Sequence, residues 1–284
     1  MNNQNKSFQS LLTREMQIRN YSARTIKTYC SLLANYEIAA GKPLNQVTTD
    51  DFKSRLHYLI TEKGASTSTI NQLISAFKIF YVDVCHREWE EFRVKRPRTE
   101  KKLPIVLSLE EVGRMISVTN NLKHKAILML TYSAGLRRME VLQIKPKDID
   151  SQRMQVHVVQ GKGKKDRYTI LSQKTLETLR EYYKAERPTK FLFEPAGHKG
   201  QPLSERSMEH IVKNSAKKAC IKKDVSFHTL RHCFATHLLE AGVNLRQIQQ
   251  FMGHTSFKTT AVYLHVAHIK TNEFTSPLDT INLY

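Results

Sequence analysis

Cysteine is scarce in this 284-residue chain and poorly spaced for joint work: Cys30, Cys85, Cys220 and Cys233 form no C-x-x-C pair. That speaks against a zinc ribbon and against a dithiol redox motif, and the thiols are expected to be buried or incidental in a reducing compartment. Long apolar runs are missing too. None approaches the length of a membrane span, and the opening Met1-Asn2-Asn3-Gln4-Asn5-Lys6 has none of the apolar core of a signal peptide. A soluble, cytoplasmic protein is expected. Acidic residues are in deficit: 26 Asp and Glu against 45 Lys and Arg leave a formal net charge of +19. The basic residues are spread along the chain, which favours a polyanionic partner, nucleic acid before membrane surface. There is no internal repeat and no low-complexity tract, and 40% apolar content suffices for the cores of two domains.

What is present over residues 8–90 is helical period with almost no strand character. An opening helix is expected from Phe8 to Ile18. Ile26, Tyr29, Cys30 and Leu33 share one face after Ser22, a candidate N-cap; Phe52, Leu56, Leu59 and Ile60 repeat the pattern, as do Ile70, Leu73, Ile74, Phe77 and Tyr81. Gly41-Lys42-Pro43 and Gly64-Ala65-Ser66 punctuate what reads as a four-helix domain, residues 1–92. A basic linker, 93–104, follows. It holds Arg93, Lys95, Arg96, Arg98, Lys101 and Lys102 around Pro97, with the one acid Glu100; two basic lobes joined by a basic strap suit a clamp around a duplex. A second domain, 105–268, opens on the capping box Ser108-Leu109-Glu110-Glu111. Helices are expected to about Ile144, the one around Ala126–Ala134 being nearly all apolar and so central. Met154–Val159 and Arg167–Leu171 read as two strands joined across Gly161-Lys162-Gly163-Lys164-Lys165. After Ser172 helix returns, except for a short edge strand expected at Lys190–Phe193. The fold class is mainly α with a small antiparallel β-sheet, and residues 269–284 form a mildly apolar tail.

Six side chains of the second half suit chemistry on a phosphodiester. Attack on such a group builds charge on its non-bridging oxygens, and planar guanidiniums answer that charge with paired donors. Arg137 follows Gly135 at the start of a helix beside the core, and Arg231 lies one turn after His228 on the same face; Arg138 is a decoy beside Arg137. Lys162, at a glycine-flanked hairpin tip, can protonate a departing oxygen. A nucleotide-binding loop is excluded by pattern, since there is no G-x-x-x-x-G-K-[ST] and the segment lies between strands. His228 and His232 have a zinc-ligand spacing but no following glutamate and no third ligand, so no metal is expected. Neutral His228 and His254 can instead take a phenol's proton or donate to phosphate oxygen. Tyr263 is the candidate nucleophile: of eleven tyrosines, it alone follows a Gly-His loop by nine residues and is trailed by Leu264-His265-Val266.

The motifs Gly135-Leu136-Arg137, Gly161-Lys162-Gly163, His228-Thr229-Leu230-Arg231-His232, Met252-Gly253-His254 and Tyr263-Leu264-His265-Val266 together resemble those of the tyrosine recombinases, the family of phage integrases and Xer-type recombinases. The resemblance implies an N-terminal helical core-binding (SAM-like) domain and a C-terminal catalytic domain. It also implies site-specific cleavage and rejoining of DNA: Arg137, His228, Arg231 and His254 hold the scissile phosphate, Lys162 is the general acid, and Tyr263 forms a 3′-phosphotyrosine. Glu140 and His232 support them, and the linker cations with Lys164 and Lys165 contact DNA. No metal or cofactor is called for. Family members work as four protomers on two duplexes through a Holliday junction, and the tail is expected to dock on a neighbouring protomer. Two rivals stay open: relaxation of DNA in the manner of a type IB topoisomerase, and DNA binding without chemistry through a helix-turn-helix at Asn244–Thr260. Mobile-element integration, resolution and chromosome maintenance are equally open.

Overall fold

A computed structural model of the chain describes residues 3–89, 94–98, 103–159 and 166–268. It forms two compact units, Met1–Lys101 and Lys102–Tyr284.

In the first unit the helices are α1 (Asn3–Ile18), α2 (Ala23–Ala40), α3 (Thr49–Thr61) and α4 (Thr67–Ile79), the last running into a π-helical turn at Phe80–Val84. Each start after the first is capped by a hydroxyl. Ser22 and Ser66 accept from Thr25 and Thr69 backbone N–H, and Thr48 forms a reciprocal box with Asp51. The apolar stripes meet in a core around Leu12, Met16, Leu33, Phe52, Ile74 and Phe77, where the Phe52 and Phe77 rings lie 4.4 Å apart. Three details depart from expectation. Helix α1 begins at Asn3 rather than Phe8; Asn3–Ser7 are polar and carry no apolar period that would reveal the extra turn in sequence. Tyr81 belongs to the π turn, and Ile60 is 48% exposed, off the Phe52–Leu56 stripe that α3 buries. Of the linker cations, Lys95, Arg96 and Arg98 are exposed, and Arg96 is held on α4 by Asn71 and Ser75; Arg93, Lys101 and Lys102 lie outside the described residues.

The second unit is built on α6 (Leu122–Ala134), whose Ala126, Ile127, Leu128, Leu130 and Ala134 are fully buried. Around it pack α5 (Leu109–Ser117), α7 (Arg138–Gln143), α8 (Gln173–Glu186), α9 (Glu205–Lys218) and α10 (Phe227–Glu240), followed by α11 (Leu245–Met252) and α12 (Phe257–Ala261). The capping box at Ser108 is formed with Glu111. Strands β2 (Gln155–Val158) and β3 (Arg167–Ile170) pair antiparallel, with Val156 opposite Thr169 and Val158 opposite Arg167. A further strand, β1 (Ile149–Asp150), pairs with β2 and completes the order β1-β2-β3; two residues are too few to show alternation in sequence. The edge strand expected at Lys190–Phe193 is not one. The N–H groups of Thr189, Lys190 and Phe191 turn onto the buried Glu194 carboxylate, so the backbone curls around a side chain and Leu192 N–H alone donates to a neighbouring segment, at Ile144 O, too little for a ladder.

Candidate active site

Two glycines set the frame. Helix α6 ends at Gly135 (φ 60°) and α11 at Gly253 (φ 60°), both in the left-handed region that favours glycine. Side chains are also excluded there by contact: a Cβ on Gly135 would lie 2.3 Å from Phe234 Cδ1, and one on Gly253 would lie 2.7 Å from Arg167 Cδ. A helix C-terminus presents carbonyls with no intrahelical partner and a partial negative charge. Here arginines take them. Arg231, on α10 and only 4% exposed, donates Nη1 to Gly135 O and Nη2 to Met252 O at 2.5 Å, so it bridges the ends of α6 and α11. Arg137 donates Nη2 to Gly253 O at 3.0 Å, and Arg167 donates Nε to Phe251 O at 2.9 Å. Three consecutive carbonyls, 251 to 253, thus serve three different guanidiniums.

Glu140 lies among those cations. Its Oε1 accepts from Arg137 Nη1 and Arg167 Nη1, its Oε2 from the Arg137 backbone N–H and Arg167 Nη2, all at 2.7 Å, and Arg231 Nη1 stands 3.9 Å away. Burial works to raise the carboxyl, but the Arg167 bonds and charge, then Arg137, outweigh it and hold it at about 2. Conversely, burial and then the neighbouring Arg137 bring Arg231 down to about 9, still charged at neutral pH.

Helix α10 sends Phe227, Leu230 and Cys233 into the core and turns His228, Arg231 and His232 together to the other side, as a three-and-four spacing requires. His232 Nδ1 meets the Tyr263 hydroxyl at 3.0 Å. This corrects the expectation that His228 or His254 would stand beside the phenol. His254 is occupied on both nitrogens: Arg231 Nη2 donates to its Nε2 at 3.2 Å, which leaves the proton on Nδ1 to be donated to Thr260 Oγ1 at 2.9 Å. His228 instead lines a cavity of about 430 Å³ with Arg137, Arg138, Gln143 and His157. Arg138 reaches away from Glu140 to pair with Glu205 on α9, in keeping with its reading as a decoy.

All three histidines are held neutral. Burial leads, followed by Arg231 for His254 and His228, and by His228 and then Arg231 for His232; His254 falls to about 3, His232 to about 4, and His228 moves down as well. Tyr263, 2% exposed on a 3-10 turn at Val262–His265, is pushed by burial up to about 12, against the lowering pull of Arg231 and Arg137. The resting phenol is therefore protonated, with a neutral imidazole as its partner.

Arg137, Glu140, His228, Arg231, His232, His254 and Tyr263 are thus gathered around the ends of α6 and α11, while Lys162, Lys164 and Lys165 lie outside the described residues. Two members were missed by the sequence reading, Arg167 and Thr260. The one signal for Arg167 was a charged residue opening a strand of otherwise half-buried character; Thr260 had none. Among the described residues no group of three or more His, Cys, Asp or Glu side chains is arranged to hold a metal ion.

A buried phenol beside an imidazole and clustered guanidiniums, on a helical unit with a small antiparallel sheet, is the arrangement of a catalytic domain that uses tyrosine. The chain belongs to the phage integrase family of tyrosine recombinases: residues 106–269 match the phage integrase family, and residues 9–91 match its N-terminal SAM-like domain. Among its relatives, y4qK of Sinorhizobium fredii, which carries an integrase/recombinase name, is 39% identical over 95% of this chain and 88% of its own. The tyrosine recombinase XerC of Bacillus subtilis is 31% identical over 92% of each chain. A crystal structure of a lambda integrase dimer bound to a COC′ core site superposes with a TM-score of 0.73 at 17% identity, covering 98% of this chain and 99% of that one, which shows a shared fold. Membership carries with it, in general terms, the catalysis of tyrosine recombinases.

Proposed function

We infer that this protein cleaves and rejoins duplex DNA at specific sites, with Tyr263 as the nucleophile. The observation that carries the reading is the 3.0 Å contact between the Tyr263 hydroxyl and His232 Nδ1 beside two buried or half-buried arginines. In the step proposed, the Tyr263 oxygen bonds to phosphorus as the bond from phosphorus to the 5′ oxygen breaks. The phenolic proton goes to His232, and the departing oxygen takes one from Lys162. Arg137 and Arg231 hold the non-bridging oxygens with donors their carbonyl bonds leave over, and His228 joins the cradle; His254 joins it in its other tautomer, with Thr260 donating to Nδ1 and Nε2–H donating to phosphate once Arg231 Nη2 turns to the phosphate. His232 is a weak base at rest, but a phosphate anion arriving beside it favours the protonated imidazole. The phosphotyrosine keeps the bond energy, so a second 5′ hydroxyl can reverse the step with neither nucleotide hydrolysis nor a metal.

The lambda integrase comparison, a dimer on a core site, supports an oligomer on DNA, and the net charge of +19 supports a polyanionic partner. We extend the reading to four protomers on paired sites, exchange through a Holliday junction, and a cytoplasmic location where DNA is at hand. Lys95, Arg96, Arg98 and the cations flanking Lys162 would follow the backbone. The test is a supercoiled plasmid bearing two copies of a duplex selected by the protein from random-sequence DNA, incubated in excess chelator. Covalent adducts and exchanged products are expected; relaxed circles without exchange would assign topoisomerase-type relaxation instead, and binding without adducts would leave a DNA-binding protein.

A further inference from the structure

Arg167 lies outside the seven residues to which the chemistry is assigned, yet it makes as many hydrogen bonds within the site as Arg137 or Arg231, three each. It opens β3, opposite Val158, five residues after Lys162. Its guanidinium forks onto both Glu140 oxygens at 2.7 Å and its Nε donates to Phe251 O at 2.9 Å. One planar group therefore ties three segments, the hairpin strand β3, the start of α7 and the end of α11, and it is 10% exposed. Its aliphatic stem packs where Gly253 leaves room, since Cδ lies 2.7 Å from the position a Cβ would take there.

Glu140 would otherwise pair one to one with Arg137, neutralising the arginine meant for phosphate. With Arg167 present, the carboxylate is shared between two guanidiniums in contact and a third, Arg231, at 3.9 Å. The set of three cations and one anion keeps an excess of positive charge for an incoming phosphate. The same geometry fixes the turn at residues 251–254, because carbonyls 251, 252 and 253 are each held by a different arginine and His254 follows directly. We propose that Arg167 is a positioning residue for the cleavage step: by holding Glu140 and the end of α11 it aims Arg137 and His254 at the phosphate, and it ties β3 to both. This rests on the cleavage reading above.

Three groups face Glu140, namely Arg137 from the N-cap of α7, Arg167 from β3 and Arg231 from α10. Removing Arg167 takes away the strongest influence keeping the carboxyl ionised, so its protonation should move up in pH toward the working range. The experiment compares wild type, Arg167→Gln, Arg167→Lys, Glu140→Gln and the Arg167→Gln/Glu140→Gln double variant, using a nicked duplex of the selected site and trapping adducts between pH 5 and 9. Arg167→Gln should form adducts about 10- to 100-fold more slowly, a loss in the range of a mispositioned catalytic group. The deficit should be deepest at the acid end. Binding of the same duplex should stay within about twofold, because a buried ion pair does not contact the DNA backbone and would not enter its charge count. Arg167→Lys should recover part of the rate, and the double variant should be little slower than the worse single one, since the two residues act as a pair.

A second readout needs no activity. Nitrogen-15 NMR of the DNA-free proteins should show the His254 imidazole and the Arg137 guanidinium signals displaced in Arg167→Gln and partly restored in Arg167→Lys. If Arg167→Gln does not fold, Arg167→Lys is read alone, with intermediate displacement expected. Wild-type adducts with unchanged rates in the Arg167 variants would overturn this inference and leave the cleavage reading intact, as would a loss equal at every pH with additive double-variant effects. No adduct from wild type would sink the cleavage reading, and the NMR signals would then decide the positioning claim by themselves: unshifted His254 and Arg137 overturn it.

Discussion

Replacing Glu140 by Gln keeps the shape of the side chain and removes the one anion among Arg137, Arg167 and Arg231. The cost can be worked from its ionisation. The carboxyl is brought from its ordinary 4.5 to about 2 in the folded chain, and at about 1.4 kcal/mol per tenfold that makes its charge worth about 3 kcal/mol at neutral pH. The side chain is 7% exposed, so solvent screening takes little away. The loss of one partner from a buried ion pair points to the same size, about 3 to 5 kcal/mol. The sign follows from the lowered pKa: the contribution is fully present above about 4.5 and is lost as pH falls through about 2. Trp89, the only tryptophan, lies in the first unit, so its fluorescence reports the wrong half of the molecule. Hydrogen exchange of peptides spanning 122–143 and 166–171 reports the right one. Exchange limited by opening should speed up about a hundredfold or more in Glu140→Gln at pH 7, and the gap to wild type should narrow at pH 3. Equal exchange at pH 7, or a gap that does not shrink with acid, would refute the assignment of Glu140 as the anchor.

His232→Gln keeps a polar contact to the phenol but cannot take its proton, so adduct formation should fall by about a hundredfold or more. Its rate should climb with pH across 6 to 9, where wild type, whose His232 is held at about 4, should stay nearly flat; matching pH profiles would assign the proton to another group. Gly135→Ala puts a Cβ 2.3 Å from a Phe234 ring carbon at φ 60°. Overpacking with left-handed strain should cost about 2 to 5 kcal/mol in the second unit, measured by the same hydrogen-exchange peptides. Gly253→Ala meets the flexible Arg167 stem instead, so it should cost less stability and, by displacing that stem, reduce adduct formation at unchanged DNA binding. A Gly253→Ala protein as active as wild type would show that the turn tolerates a side chain.

The parts of this molecule that were legible in its sequence are those written in residue type at short range. Ser22 and Ser108 mark helix starts because a hydroxyl takes a backbone N–H three residues on, and both do so. The nearly all-apolar run of α6 marks a central helix, and the segments on either side of the turn expected at residues 161–165 mark β2 and β3. The arrangement of the site was less legible, since what holds it is largely backbone carbonyl. Gly135 O, Phe251 O, Met252 O and Gly253 O bind three arginines across separations of 21 to 116 residues, and a carbonyl acceptor leaves no trace in residue identity. That is why Arg167 was missed; Thr260 and the tyrosine's partner were missed for another reason, since each is a side-chain pair brought together by the fold from separate segments or turns. His228, Arg231 and His232 share a face, so sequence period could place the group but not choose which imidazole meets a hydroxyl arriving from the 3-10 turn at Val262–His265. The curl at Glu194 was hidden in the same way, its acceptor being one side chain serving several N–H groups.

The central claim is that one hydroxyl becomes covalently bound to DNA. The direct measurement is to trap the protein on a nicked, end-labelled duplex of its selected site in excess chelator, digest the adduct with protease and nuclease, and read by mass spectrometry which residue carries the nucleotide remnant. The account predicts a 3′-phosphoryl linkage to Tyr263 in wild type and no adduct in Tyr263→Phe, which lacks one oxygen and keeps its buried ring and its DNA binding. A remnant on any other residue, or adducts persisting in Tyr263→Phe, would contradict it.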